Sequence, residues 1–258
     1  MSQPDIKLFG VVGKPISHSL SPKIHNSWIE THHLKAFYAP LLIESEQNFE
    51  IAIKNLPLLG FCGVNITLPY KQIAYSICNE LSAEARAIGA VNCLHFTNDK
   101  IIGYNTDAFG FLHPLQGKKM QNALVIGAGG ASMAVIYALK SINCKVDICN
   151  RTFSEALRLA KHFNCNAIKT LLGLADLEKY DIIVNATSLG LKGEVIDVKY
   201  NSAQKTCIFY DIIYKNNAIT PFLQNAKNNG NAVIDGLPML YAQAAKSFEI
   251  WHGIMPTF

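Results

Sequence analysis

The chain has 258 residues, half of them hydrophobic and 16% charged, with a formal net charge of +4. That length suits one large or two small domains with real cores, and the composition excludes a disordered chain. Lysine and arginine are scattered without a run of five, which excludes a basic nucleic-acid-binding stripe and leaves a small molecule as the expected partner.

The seven cysteines, at 62, 78, 93, 144, 149, 165 and 207, are odd in number and form no C-x-x-C pair. They predict reduced, largely buried thiols and a cytoplasmic location. The eight histidines show no H-x-x-x-H or H-E-x-x-H spacing, so no metal site is expected. Ser2, Gln3, Pro4 and Asp5 make a polar start, and no signal peptide is expected. The uncharged stretch from Met120 to Leu139 approaches membrane-spanning length. Gly127, Gly129 and Gly130 in its middle fit a strand, a turn and a helix better, so no membrane association is expected.

In chain order, Lys7 to Val12 reads as a short buried strand, followed by a polar loop from Gly13 to Ser21. Pro22 suits the first turn of a helix reaching Thr31, with Ser21 as its cap. Ala36 to Leu42 is a predicted strand, Asn48 to Leu56 an amphipathic helix, and Phe61 to Ile66 an apolar strand. A helix is expected from about Ile73 to Leu81, then a hairpin of Val91–Phe96 and Lys100–Tyr104 around Asn98-Asp99. From residue 107 strands alternate with helices. The expected elements are strand Ala123–Ile126, helix Ala131–Ser141, strand Lys145–Cys149, helix Ser154–Phe163, strands Ile182–Asn185 and Cys207–Asp211, helix Pro221–Asn229, and strand Val233–Ile234.

This alternation predicts a parallel sheet with crossover helices. A last helix, about Met239 to His252, is expected to pack back on the first domain. The fold class is therefore α/β with two domains. An N-terminal α/β substrate domain covers 1–106 plus 237–258, and a Rossmann-type nucleotide domain covers 107–236. The active site is expected in the cleft between them.

Asn122-Ala123-Leu124-Val125-Ile126 runs into Gly127-Ala128-Gly129-Gly130-Ala131. Glycines here let the backbone turn sharply and approach a pyrophosphate, and a helix N-terminus supplies N–H groups and partial positive charge. The third glycine of G-x-G-x-x-G is replaced by Ser132. The next strand ends in Asn150-Arg151-Thr152, where an NAD enzyme often places an acid for the ribose 2′-hydroxyl. A carboxylate would repel a 2′-phosphate, whereas a guanidinium can fork onto one, so NADP(H) is the predicted cofactor. A solvated turn arginine is the bland alternative.

Polar clusters also follow apolar strands at Asn65-Ile66-Thr67-Leu68-Pro69-Tyr70-Lys71, Gly103-Tyr104-Asn105-Thr106-Asp107 and Asn185-Ala186-Thr187-Ser188-Leu189-Gly190. Lys71 and Asp107 make a proton-handling pair suited to carbonyl reduction, in which a lysine protonates the nascent alkoxide. Taken alone, Lys71 also reads as solvated surface and Asp107 as a helix N-cap. The residues by themselves reach a two-domain NADP oxidoreductase.

Eight ordered motifs carry a resemblance. They are Gly13-Lys14-Pro15-Ile16-Ser17-His18-Ser19-Leu20-Ser21-Pro22, Gly63 to Lys71, Gly89-Ala90-Val91-Asn92, Gly103 to Asp107, the glycine loop, Asn150-Arg151-Thr152, Asn185-Ala186-Thr187-Ser188-Leu189-Gly190, and a C-terminal set of Asp235-Gly236, Met239-Leu240 and Gln243. In this order the chain resembles the shikimate dehydrogenase family over its whole length.

The resemblance implies reversible NADPH-dependent reduction of 3-dehydroshikimate to shikimate in chorismate and aromatic amino acid biosynthesis, by a monomer or homodimer. Lys71 and Asp107 would be catalytic. Ser17 and Ser19 would hold the substrate carboxylate, and Thr67, Asn92, Asp107 and Gln243 the ring hydroxyls, with Tyr214 also reaching the substrate. Gly127, Ala128, Gly129, Gly130, Ala131, Asn150, Arg151, Thr152, Thr187, Ser188, Gly190, Ile213 and Gly236 would bind the cofactor. His18 and His25 are left out of catalysis. An NAD-linked quinate/shikimate dehydrogenase is the neighbouring alternative. The chain departs from the family pattern at Glu155, where relatives often carry a second phosphate-binding arginine, and at Ile213, where methionine is common. Glu155 implies weaker NADP binding than in relatives with both arginines.

Overall fold

The computed structural model describes residues 6–169, 177–215 and 218–258. The polar start at residues 2–5 lies outside the described residues. The chain divides into two compact units, one of Met1–Gly110 with Leu240–Phe258 and one of Phe111–Met239. The division falls three to four residues later than the expected 106/107 and 236/237. At the first boundary, Asp107 is tied to Asn105 and Asn92 of the first unit.

In the first unit, β1 (Lys7–Gly13) leads into α1 (Ser21–Thr31), followed by β2 (Ala36–Leu42) and α2 (Glu46–Asn55). Pro22 sits in the first turn of α1 as expected, but Ser21 is not the cap. The cap position is Leu20, and the Ser21 amide instead donates to Ser19 Oγ. Ser45 caps α2 through the Gln47 amide, which starts that helix earlier than Asn48. Next come β3 (Phe61–Ile66), α3 (Lys71–Ile77), β4 (Glu80–Leu81) and α4 (Ala83–Ile88). The helix expected over 73–81 therefore begins at Lys71, ends at Ile77 and gives way to a short strand. The hairpin β5 (Cys93–Thr97) and β6 (Lys100–Tyr104) turns at Asn98 and Asp99, both at positive φ, as a two-residue hairpin loop requires. α5 (Asp107–Leu112) follows.

The sheet order is β2-β1-β3-β5-β6-β4, with β1, β2 and β3 mutually parallel and β5 antiparallel to both its neighbours. Both faces are covered, which is why its inner strands read as continuous apolar runs rather than alternating ones. Val12, Val64, Ile66 and Leu94 pack with Phe49, Ile53, Tyr70 and Ala74 of the α2 and α3 side. Phe9, Val11 and Cys93 face the other way, against Trp28 of α1 and Ala244, Phe248 and Trp251 of the C-terminal helix.

The second unit contains β7 (Asn122–Ile126), α6 (Gly130–Ser141), β8 (Lys145–Cys149), α7 (Phe153–Phe163), β9 (Asn166–Ile168), β10 (Ile182–Asn185), β11 (Ile208–Asp211), α8 (Pro221–Asn228) and β12 (Ala232–Ile234). The long C-terminal helix α9 (Leu237–His252) follows. All pairings in this sheet are parallel, in the order β12-β11-β10-β7-β8-β9. Counted within the unit this is 3-2-1-4-5-6 read from its far edge, the doubly wound dinucleotide topology whose switch point lies between β7 and β10.

The uncharged stretch 120–139 is thus a buried strand, a glycine loop and a helix with seven buried residues. Among the described residues no helix is long and apolar enough to cross a membrane. A carboxylate in the middle of β8, Asp147, is accommodated by Lys179, Tyr180 and Asn166. Burial alone would raise its pKa, but these donors hold it below the ordinary value.

Candidate active site

In the first unit the parallel register places the C-terminal ends of β1 and β3 side by side, with Val12 opposite Ile66. The loops that leave them are laced together by Thr67 N–H to Val12 O at 2.9 Å and Lys14 N–H to Leu68 O at 2.9 Å. The Ser17–Ser19 loop is therefore held beside the loop that carries Thr67 and ends at Lys71. Ser17 is exposed, while Ser19 and Thr67 are half-buried.

Lys71 opens α3, and its Nζ lies 2.6 Å from Asp107 Oδ2, with the two side chains only 13% and 7% exposed. The other carboxylate oxygen of Asp107 accepts from Asn92 Nδ2 at 2.8 Å. The same Asn92 amide nitrogen approaches Thr106 Oγ1 and, at 3.4 Å, Gln243 Oε1 from α9. Four expected residues, Lys71, Asp107, Asn92 and Gln243, therefore converge although they span 172 positions of sequence. The backbone fixes them, because Val91 N–H donates to Lys71 O and Ile66 N–H to Asn92 O. An ammonium carries three donors and the ion pair takes one, so Lys71 keeps donors for a substrate oxygen. Asp107 is itself the first residue of α5, and its carboxylate is engaged by Lys71 and Asn92.

A buried polar chain not anticipated from the sequence supports this cluster. Thr106 Oγ1 lies 3.2 Å from Ser247 Oγ, which accepts from Asn65 Nδ2 at 2.8 Å. Asn65 Oδ1 in turn accepts from the Tyr38 hydroxyl at 2.8 Å. Tyr38 stacks on His25 at a ring separation of 4.2 Å. Burial pushes the His25 pKa down to about 3, so the imidazole is neutral and part of the core, consistent with its exclusion from catalysis. Asn65, Thr106 and Asn105 stand inside the motifs already noted, but nothing in the sequence pointed to Ser247 or Tyr38.

In the second unit Gly127 follows β7 with φ +117°. A Cβ there would stand 2.9 Å from the Ala186 carbonyl oxygen, so only glycine lets the two strand ends approach this closely. Gly129, the N-cap of α6, faces open space, and no side chain caps that helix. Its first-turn N–H groups have no side-chain cap, and α6 has no acidic residue in its first turn. Ala128 and Ala131 stand in the same open loop and first turn. Ser132, in place of the third glycine, is fully buried and donates to Ala186 O at 3.4 Å. A small hydroxyl side chain therefore still permits close helix–strand packing.

At the end of β8, Asn150 donates to Thr152 O, while Arg151 and Thr152 are exposed. Thr152 is the N-cap of α7 but makes no side-chain cap bond. Glu155, one turn on, pairs with Arg158 at 3.1 Å. The β10 loop is pinned by Asn185 to Thr187 and Leu189, and Gly190 has φ +109°. Gly236 N–H donates to Ile213 O at 3.0 Å. Tyr214 is half-buried in this unit.

Two family models match the chain. One describes the shikimate dehydrogenase substrate binding domain, over residues 11–94, and the other shikimate / quinate 5-dehydrogenase, over residues 113–237. The chain is 41% identical to a shikimate dehydrogenase (NADP(+)) of Pelagibacter ubique, over 97% of this chain and 95% of that one. The chain belongs to the shikimate dehydrogenase family.

A crystal structure of the Aquifex aeolicus shikimate dehydrogenase superposes with a TM-score of 0.91 at 38% identity, covering 100% of this chain and 96% of that one. A Thermus thermophilus shikimate 5-dehydrogenase solved with NADP(H) and shikimate superposes with a TM-score of 0.89 at 35% identity, over 97% and 95% of the two chains. Each shikimate dehydrogenase model falls wholly within one compact unit, the first within Met1–Gly110 and the second within Phe111–Met239.

Proposed function

We propose that the protein interconverts 3-dehydroshikimate and shikimate with NADP(H), the reduction serving chorismate and aromatic amino acid biosynthesis. The observation that carries this reading is the largely buried Lys71–Asp107 pair, held by Asn92, which Gln243 approaches in turn, in the unit matched by the substrate-binding model. The Thermus relative, solved with NADP(H) and shikimate, supports both ligands.

In this reading the bound nicotinamide supplies or accepts the hydride. Lys71 donates a proton to the substrate oxygen as it gains charge, and takes it back in the reverse direction. Asp107 holds that lysine in place and accepts from a ring hydroxyl. Asn92, Thr67 and Gln243 orient the remaining hydroxyls, Ser17 and Ser19 hold the carboxylate, and Tyr214 also reaches the substrate. A polyhydroxy acid is matched by this set of mostly neutral donors and acceptors.

The open, uncapped N-terminus of α6 fits a pyrophosphate, with Gly127 to Ala131 along it. Asn150, Arg151 and Thr152 would take the adenosine 2′-phosphate, and Thr187, Ser188, Gly190, Ile213 and Gly236 the nicotinamide end. The reading places the protein in the cytoplasm, a location that suits its seven free thiols.

The competing reading is an NAD-linked quinate/shikimate dehydrogenase, which Arg151 opposes. Comparing kcat/KM for NADP with shikimate against NAD with quinate decides between them. We expect the first to be higher; a preference for NAD and quinate overturns the proposal.

A further inference from the structure

We propose that Asp211 is a positioning residue whose single carboxylate fixes the wall of the second unit against which the nicotinamide lies. This rests on the reading of that unit as the NADP(H) site.

Asp211 ends β11 and is fully buried. A carboxylate withdrawn from water is costly unless donors converge on it. Three neutral donors do so, each from a different stretch of chain. Asn185 Nδ2 at the end of β10 and the Ile213 amide after β11 both donate to Oδ1 at 3.0 Å. The Thr220 hydroxyl, which caps α8, donates to Oδ2 at 2.6 Å.

Asn185 passes the constraint on. Its Oδ1 accepts from both the amide and the hydroxyl of Thr187, and its Nδ2 also donates to Leu189 O. Gly190 then comes close to both remaining arms. A Cβ there would lie 3.4 Å from Thr220 Cβ and 3.8 Å from Ile213 Cδ1. Ile213 O in turn accepts from Gly236 N–H. Thr187, Gly190, Ile213 and Gly236, all assigned to the nicotinamide end, are thus set by one side chain that faces none of the solvent. The second carboxylate oxygen is essential to the arrangement. An asparagine would turn an N–H towards Thr220 Oγ1, and the Thr220 hydroxyl proton would lose the acceptor it now has in Oδ2.

The full-length chain tests this with Asp211→Asn, Thr220→Val and Thr220→Ser. Three quantities are measured: NADPH affinity by fluorescence, affinity for adenosine 2′,5′-bisphosphate (which lacks the nicotinamide), and thermal unfolding by circular dichroism. We expect Asp211→Asn and Thr220→Val to raise the NADPH Kd by about tenfold or more. Binding of the bisphosphate should stay unchanged, and Thr220→Ser should restore the wild-type NADPH Kd. If Asp211→Asn does not fold, the two Thr220 variants decide alone. NADPH affinity unchanged in folded variants overturns the proposal, and so does an equal loss of both ligands, which marks a purely structural role. Failure of the wild-type chain to bind NADPH would instead overturn the assignment of the unit.

Discussion

Replacing Lys71 by alanine removes an ammonium that lies 2.6 Å from Asp107 in a site where both side chains are almost wholly covered. Two costs should separate. The chemical one is the loss of a positioned acid–base group, worth about 10²–10⁴ in kcat, or roughly 3–5 kcal/mol of barrier. The structural one is an uncompensated buried carboxylate, for which about 3–5 kcal/mol is typical. Asp107 keeps its bond from Asn92 at 2.8 Å, which places the stability loss near the lower end, about 3 kcal/mol. Steady-state kinetics and denaturant unfolding of the same preparation read the two costs apart, and calorimetry reads shikimate binding. Shikimate should still bind, because Ser17, Ser19, Thr67, Asn92 and Gln243 remain. Adding Asp107→Ala to Lys71→Ala should lower kcat far less than the product of the single effects, since the two act as a unit. Unchanged kcat in Lys71→Ala, or fully multiplicative losses in the double variant, would refute the pair's assigned role.

The remaining expectations concern pH, cofactor choice and the glycine loop. His25 takes up a proton near pH 6.5 in the unfolded chain but only near pH 3 when folded, so stability is lost as pH falls below 6.5. The loss from this group should reach about 2 kcal/mol at pH 5 relative to pH 8 and should vanish in His25→Phe; equal acid sensitivity of both proteins would count against it. Arg151→Ala should weaken NADP binding by about one to two orders of magnitude while leaving NAD binding unchanged. Glu155→Gln, which removes a carboxylate and releases Arg158, should tighten NADP by roughly two- to fivefold in titrations at low salt. Gly127→Ala forces a side chain into positive φ and against the Ala186 carbonyl, so NADPH affinity should fall by about tenfold or more while shikimate affinity holds.

The parts of the fold visible in the sequence were those with a strong period or a strong boundary. The strands Ala36–Leu42, Phe61–Ile66, Lys145–Cys149 and Ile182–Asn185 carry β-branched and apolar runs between turn residues, and the structure starts and ends them at the expected residues. α4 and β9 were missed because six and three residues are too few to show a period. α3 began early because the turn at Thr67–Tyr70 ends directly on Lys71, where Tyr70 O accepts the first helical bond from Ala74. Site residues were legible where polar side chains follow apolar strands, as at Thr67, Lys71 and Asp107. The bond between Asn65 and Ser247 joins positions 182 residues apart, and no local pattern can announce it. Asp211 was hidden for a related reason. It ends an apolar strand like many a turn aspartate, and only the fold shows three chain segments closing on it.

The central claim, that this chain moves a hydride between NADP(H) and a shikimate ring carbon, has one direct measurement. Purified protein is mixed with 3-dehydroshikimate and NADPH deuterated at the transferable position, and the product is weighed by mass spectrometry. The account predicts shikimate one mass unit heavier than the product made with ordinary NADPH from one of the two deuterated faces. Unlabelled shikimate from both faces, or no shikimate at all, would contradict it.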